Sequence, residues 1–419
     1  MGKKGLLLYH RVNDTVNDYN RITVEEKHFY KHMCHLKENY KILTFEEMLS
    51  YEGEEDAVSV TFDDGFADFY EKALPILTQL QIPSTIFITT GKIDTVAELW
   101  TTEILRILFA SNTGEELSIK IYNREVVLPV FTLEQRVEAY RILRHVLMRL
   151  STGEREEILT AIRKELGIDE KGREEYRLLS SIEIREIASN PLVTIGAHTV
   201  NHVSVGRISE TELVDEIRES VKHLEHIIGR EVKYFAYPFG GAFDYSDRVI
   251  DILREDGIEA ACTVEERVYD KNTDSLYEIP RKYIGNWKLK QFQDRIQKWF
   301  GEQEQEKVRE HEEPQIYIGK LETDRKLWES DRKIVIWGTG VRGKRVYESL
   351  CGLGQADRVI AFGDNNSMMW GQQIDDVPVW NIEQIKKCGE VDIVVYNVHD
   401  NELIQQLVEQ GVRFLHWVI

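Results

Sequence analysis

The sequence predicts an α/β protein built from two parallel-sheet domains, and three observations predict it. Short apolar runs at residues 6–9, 58–62, 84–89, 192–197, 232–237 and 260–264 recur along the chain, with stretches of helical spacing such as 67–80 between them. That alternation is the strand–helix–strand pattern of a parallel sheet covered by helices. A highly charged stretch, 300–333, then breaks the rhythm, and a fresh strand at 334–337 opens a second series.

At 419 residues the chain exceeds a usual single domain of about 100–200 residues, which agrees with two. The balance of 53 basic against 73 acidic residues, net −20, argues against a nucleic-acid partner and against an anionic membrane surface. It leaves a neutral sugar open as a substrate. Met1-Gly-Lys-Lys-Gly-Leu-Leu-Leu holds an apolar run far shorter than the roughly 7–15 residues of a signal peptide, and no stretch approaches the roughly 18 apolar residues of a membrane span. Cys34, Cys262, Cys351 and Cys388 are scattered without a CxxC pair, and they read as reduced thiols of a cytoplasmic protein.

The first domain is assigned to residues 1–300. Within it, 98–181 departs from the strand–helix rhythm: 103–110, 133–150 and 154–166 are amphipathic helices, with a short β-like pair around 117–128. This is an insertion, either a structural lid or self-association patch, which would make the chain a homo-oligomer, or a lid that reads the substrate. Residues 301–332 form a charged helix and linker, and 333–419 the second domain.

Three segments of the first domain carry polar residues at strand ends. Thr61-Phe62-Asp63-Asp64-Gly65 puts adjacent carboxylates at the end of a buried strand, where like charges repel. A metal, a shared proton or a water-exposed turn would relieve them. Ile195-Gly-Ala-His198-Thr-Val-Asn-His202 offers two histidines four apart, which can meet one ion from one helical turn, although an isolated HxxxH is a weak signal. Phe235-Ala-Tyr-Pro238-Phe239-Gly-Gly is a strand running into a turn that can aim a backbone N–H at a ligand, or simply end the strand.

TFDDG, HTVNH and YPFG, in that order, resemble the first three motifs of the polysaccharide deacetylases, also called the NodB-homology domain or carbohydrate esterase family four. The resemblance covers roughly residues 1–300 less the insertion. It implies a distorted (β/α)7 barrel with the site at the C-terminal ends of its strands. It further implies that Asp64, His198 and His202 bind a divalent metal, most often zinc, that Asp63 is the general base, and that the Phe239 N–H holds the oxyanion. Two departures stand out. Many members carry Arg two residues before the proline of the third motif, where this chain has Ala236, and the late Leu-x-His motif that supplies the acid is not apparent. Leu8-Tyr9-His10 and Pro280-Arg281 resemble corresponding elements of the biofilm poly-N-acetylglucosamine deacetylases. That branch makes His10 the acid and Arg281 the residue that orients Asp63.

In the second domain, strand 334–337 runs into Gly338-Thr-Gly340-Val-Arg-Gly343 and a helix, and strand 359–362 ends in Gly363-Asp364. An acidic residue about 20 positions beyond a GxGxxG between strand and helix is the dinucleotide-binding context. The domain resembles the small Rossmann-like domain of bacterial sugar-modifying proteins, including the N-terminal half of sialic-acid-type O-acyltransferases, which implies a nucleotide or nucleotide-sugar ligand. Residues 333–419 are too few for two full mononucleotide-binding halves, and a docking or oligomerisation module is the competing reading. For the whole chain the expectation is a metal-dependent deacetylase of an N-acetylated sugar in cell-surface glycan metabolism. An amidase acting on a small non-sugar amide, or a catalytically silent nucleotide-sugar-binding regulator, are the alternatives.

Overall fold

The computed structural model describes residues 2–14, 18–110, 114, 116–121, 124–241, 244–301, 315–319, 327, 330–352, 354–396, 407, 412 and 414–418. The chain forms two compact units, Met1–Gln305 and Glu306–Ile419. Among the described residues no helix is long and apolar enough to cross a membrane.

The first unit is built on seven parallel strands: β1 (Lys4–Tyr9), β2 (Ala57–Phe62), β3 (Ser84–Ile88), β4 (Val193–Ala197), β5 (Tyr234–Ala236), β6 (Ala260–Cys262) and β7 (Lys282–Tyr283). They pair in the order β6-β5-β4-β3-β2-β1-β7, and a two-residue strand, Lys41–Ile42, adds to β2. Every residue of β1 and β2 is buried. That explains why these strands read as continuous apolar runs rather than alternating ones, since helices cover one face of the sheet and side chains fill the other. The sheet curls as a barrel of this class does. Segment 276–284 links its two edges: Thr263 N–H donates to Ile279 O (2.9 Å), Ile279 N–H to Ala261 O (3.0 Å) and Ile284 N–H to Leu8 O (2.9 Å).

Helices with ordinary caps connect these strands. Ser209 accepts from Glu212 N–H to start Glu210–Ile228, and Gly229 ends that helix at φ 70°. The helical stretch read at 67–80 begins as a wide turn over Phe69–Ala73 and continues as Leu74–Leu80.

The insertion follows β3. It comprises helix Trp100–Leu108, an antiparallel hairpin of Glu116–Ile121 with Arg124–Pro129, and helices Leu133–Leu147 and Thr152–Leu166. Its two ends are fastened together at the base. Glu98 takes both Nε (3.0 Å) and Nη2 (2.8 Å) of Arg173, Gly172 N–H donates to Val96 O (2.7 Å), and Ser181 N–H donates to Asp94 (2.9 Å).

The second unit holds β8 (Gln315–Gly319), β9 (Lys333–Trp337), β10 (Val359–Gly363), β11 (Gln373–Ile374), β12 (Val377–Trp380), β13 (Val391–Tyr396) and β14 (Phe414–Val418). The sheet order is β8-β14-β13-β9-β10-β12-β11, parallel except for β11 with β12. This corrects the boundary read from sequence. Part of the expected linker, 301–332, is β8, whose parallel partner β14 lies at the far end of the unit. A five-residue strand between charged stretches has no local signature, because its pairing is non-local. The charged residues 302–314 lie outside the described residues.

The glycine turn after β9 is sterically uneven. Gly338 sits at φ 106°, and a Cβ on Gly343 would fall 1.9 Å from Gly338 O, whereas a Cβ on Gly340 would meet nothing within 4 Å. Gly343→Ala is therefore expected to destabilise the second unit by about 1–3 kcal/mol through overpacking, and Gly340→Ala by less than about 0.5 kcal/mol. Denaturant unfolding measures both, and equal effects would contradict the packing.

Candidate active site

At the end of β2 the backbone turns sharply. Asp64 adopts φ 74° and Gly65 φ 83°. A left-handed aspartate is a strained choice, costing of order 1–3 kcal/mol, and here it points two successive carboxylates into one region. Asp63 N–H donates to Tyr9 O (3.0 Å) and Thr89 N–H to Asp64 O (3.2 Å), so both neighbouring strands hold the turn.

The two carboxylates have different partners. Asp63 receives a two-pronged hydrogen bond from Arg281, Nη1 to Oδ1 at 2.7 Å and Nη2 to Oδ2 at 2.8 Å. Arg281 is fully buried and is itself fixed by Thr263 O (3.1 Å) and Thr61 Oγ1 (3.3 Å). Burial works against an ionised Asp63, but the Arg281 guanidinium and then His198 outweigh it and hold the carboxyl below the usual range.

Asp64 faces the histidines. Its Oδ1 lies 3.1 Å from His202 Nε2 and 3.6 Å from His198 Nε2. It has no hydrogen-bond partner of proper geometry among the described residues. His198 Nδ1 is committed to Ala236 O at 2.7 Å, which places the proton on Nδ1 and leaves Nε2 with a free lone pair. Ligand atoms bound tetrahedrally to zinc at about 2.0–2.2 Å sit about 3.3 Å apart, and the two observed separations bracket that value. The group Asp64, His198 and His202, all buried, is therefore shaped to hold a metal ion.

The histidines do not come from a helical turn, as their spacing had suggested. They lie on a loop after β4 in which Thr199 (φ 63°) and His202 (φ 51°) take left-handed conformations. The buried carboxylate of Glu216 ties this loop, accepting from Val200 N–H (2.9 Å), Asn201 N–H (2.8 Å) and Asn201 Nδ2 (2.7 Å). The spacing of four works because the loop doubles back, not because the backbone is helical.

His10 and Phe239 complete the cluster. His10 follows β1, its Nδ1 is buried without a hydrogen-bond partner among the described residues, and its charge bears on both Asp63 and Asp64. Phe239 takes φ 66°, and its ring packs edge-on to His202 with centroids 4.9 Å apart. All seven residues singled out in the first unit thus converge on one place.

Residues of the insertion line the same place, and no motif flagged them. Trp100 Nε1 donates to His202 O (3.0 Å), and its ring lies 6.0 Å from Phe239. Arg144 stacks over Phe239 at 4.9 Å. Burial pushes the Tyr140 phenol up to about 12, so it stays neutral and able to donate. The only signal in the sequence was the amphipathic spacing of helix Leu133–Leu147, which also fits plain packing.

In the second unit, Asp364 Oδ2 accepts from Thr339 N–H (3.0 Å) and from its hydroxyl, while Oδ1 accepts from Asn366 N–H (2.9 Å). The carboxylate is turned back onto the turn that contains Gly338, Gly340 and Gly343, so a ribose hydroxyl there would compete with Thr339.

The first unit is thus a curled parallel sheet with a candidate His/Asp metal site at the carboxyl ends of its strands. The family model of polysaccharide deacetylase matches residues 50–112 and 129–261, and the chain carries a polysaccharide deacetylase domain. YxkH of Bacillus subtilis (strain 168), which bears the same family name, is 36% identical over 91 residues, 20% of this chain and 31% of that one. The match spans about a third of that relative's length. Among solved structures, a polysaccharide deacetylase from Bacillus cereus shares 20% identity over 70% of this chain and 69% of its own, with a TM-score of 0.46. The Streptococcus pyogenes deacetylase PplD in complex with acetate shares 17% over 70% and 98%, also at 0.46.

Removing the Arg281 side chain would leave Asp63 buried and uncompensated. Arg281→Met is expected to cost about 3–5 kcal/mol of stability, and adding Asp63→Asn to it should recover part of the loss. A double-mutant cycle by urea unfolding reads this directly; a loss below about 1 kcal/mol would mean that the pair does not hold the site.

Proposed function

We propose that the first unit is a metal-dependent hydrolase that removes the acetyl group from an N-acetylated sugar in cell-surface glycan metabolism. The carrying observation is the meeting of Asp64, His198 and His202 beside a second carboxylate that Arg281 holds ionised. A divalent cation bound by that triad, zinc being well suited to the donor set, supplies Lewis acidity toward a carbonyl oxygen and a water.

The remaining roles belong to the chain. Asp63, ionised and oriented by Arg281, takes a proton from the attacking water. The Phe239 N–H donates to the carbonyl oxygen as it gains charge. His10 delivers a proton to the nitrogen as the C–N bond breaks, because an amide anion is a poor leaving group. The products are acetate and a free amine on the sugar.

The cation and the base are separable by experiment. Purified protein is expected to hold about one divalent ion per chain, which His198→Ala/His202→Ala removes. Asp63→Asn should keep the ion and lose most turnover. His10→Ala should lower kcat on amides about 10²–10⁴-fold and spare an activated ester, whose leaving group needs no proton. Metal analysis with parallel amide and ester assays checks all three. Full metal occupancy in the double variant, or equal losses on amide and ester for His10→Ala, would overturn the corresponding role.

For the second unit we propose binding of a nucleotide or nucleotide-sugar at the turn of Gly338, Gly340 and Gly343, where backbone N–H groups meet a helix N-terminus. Since a side chain at position 340 meets nothing in the fold, Gly340→Val should leave the protein folded and abolish binding. Calorimetry of the full chain with UDP-N-acetylglucosamine reads the difference. Because the first unit can also bind an acetamido sugar, UDP is titrated alongside it; no heat from UDP favours a docking module.

A further inference from the structure

The insertion supplies a wall of the site whose chemistry the barrel motifs do not account for. Helix Leu133–Leu147 sets Tyr140 and Arg144 one turn apart on a single face. Arg144 lies 4.9 Å above the Phe239 ring, and that ring lies 4.9 Å from the His202 ring. The guanidinium is thus two ring contacts from the cation site, and its charge bears on both His202 and Tyr140.

Arg144 stands apart from the other arginines nearby in what surrounds it. Arg207 is paired with Asp244 at 3.3 Å, and Arg149 donates to His145 O at 2.8 Å. These two and Arg144 all bear on the buried His145, so the local field is positive. Two acids bear on Tyr140: Asp18 is taken up by Thr23 through its N–H (2.9 Å) and hydroxyl (3.0 Å), and Asp64 faces His202 and His198. Among the described residues no carboxylate lies within ion-pair distance of Arg144, in a chain with 73 acidic residues against 53 basic ones. The contact with Phe239 places the guanidinium carbon over the ring. The N–H fork that reads carboxylate or phosphate lies in the guanidinium plane.

Resting on the deacetylase reading of the same site, we propose that Arg144 binds an anionic group, carboxylate or phosphate, carried by the N-acetylated sugar near its acetamido group. The insertion then selects acidic acetamido sugars over neutral ones. Tyr140, a neutral donor on the same helix face, is placed to share that group.

The test uses the full metal-loaded chain and four probes: N-acetylglucosamine, its 6-phosphate, N-acetylmuramic acid and UDP-N-acetylglucosamine in the Gly340→Val background. Calorimetry gives Kd, and amine release gives kcat and KM. Wild type should bind at least one acidic probe about 10-fold or more tighter than the neutral sugar. Arg144→Gln should erase that preference through KM while leaving the neutral sugar within about two-fold. Arg144→Lys, which keeps charge without the planar fork, should restore part of it. The probes separate carboxylate from phosphate. No preference in wild type, or equal weakening of acidic and neutral probes in both variants, overturns the proposal. Selective binding without amine release from any probe would sink the deacetylase reading and leave the anion site standing. Amine release without selectivity would do the reverse.

Discussion

Two successive carboxylates, both withdrawn from water, repel each other and cannot both remain ionised without cations to face. The rest of the site follows from how Asp63 and Asp64 divide that burden. Asp63 is matched by a buried guanidinium on Arg281, and Asp64 faces two imidazoles. The partners come from two places in the chain, Arg281 from the segment before β7 and both histidines from the loop after β4, so the two carboxylates tie these segments to the end of β2. The left-handed turn at Asp64 is tolerated for the same reason: hydrogen bonds from Asp63 to β1 and from Thr89 fix the turn from both sides.

Arg281 also shows how one chemical requirement can be met from a different place in the chain. A carboxylate in a low-dielectric site needs a cation to keep it ionised and to fix its orientation. The turn after β5 has Ala236 and Pro238 where an arginine could have stood, and the guanidinium arrives from beyond β6. The site constrains the position of the charge in space and leaves its position in sequence open. The same logic applies to Glu216, which shapes the His198–His202 loop from a helix that follows it.

The insertion changes what kind of pocket the barrel presents. Its base is tied by Glu98 and Arg173, and its helices bring Trp100 to His202 O and Arg144 over the Phe239 ring, beside the candidate metal site. A rigid wall can hold a guanidinium against an aromatic ring at a constant distance, which a mobile loop could do only at an entropic cost. In the second unit the glycine turn is tied in a similar way: Gly343 packs on Gly338, and Asp364 accepts from Thr339 N–H.

By itself the sequence determined the alternation of strands and helices, the two parallel sheets and the residues at the strand ends: Asp63, Asp64, His198, His202, Phe239, His10 and Arg281. Asp63, Asp64, His198, His202 and Phe239 are legible because apolar runs that stop at charged or turn residues leave a local signature, whereas His10 and Arg281 were marked by resemblance to known deacetylases. The tertiary structure alone decided three further matters. It made the HxxxH pair a doubled-back loop, since backbone sign at Thr199 and His202 depends on Glu216, which is distant in sequence. It drew β8 into the second sheet, since a short strand is defined by its partner nearly a hundred residues away. It also turned one face of an amphipathic helix toward the site, because periodicity specifies that a face is buried and says nothing about what it is buried against.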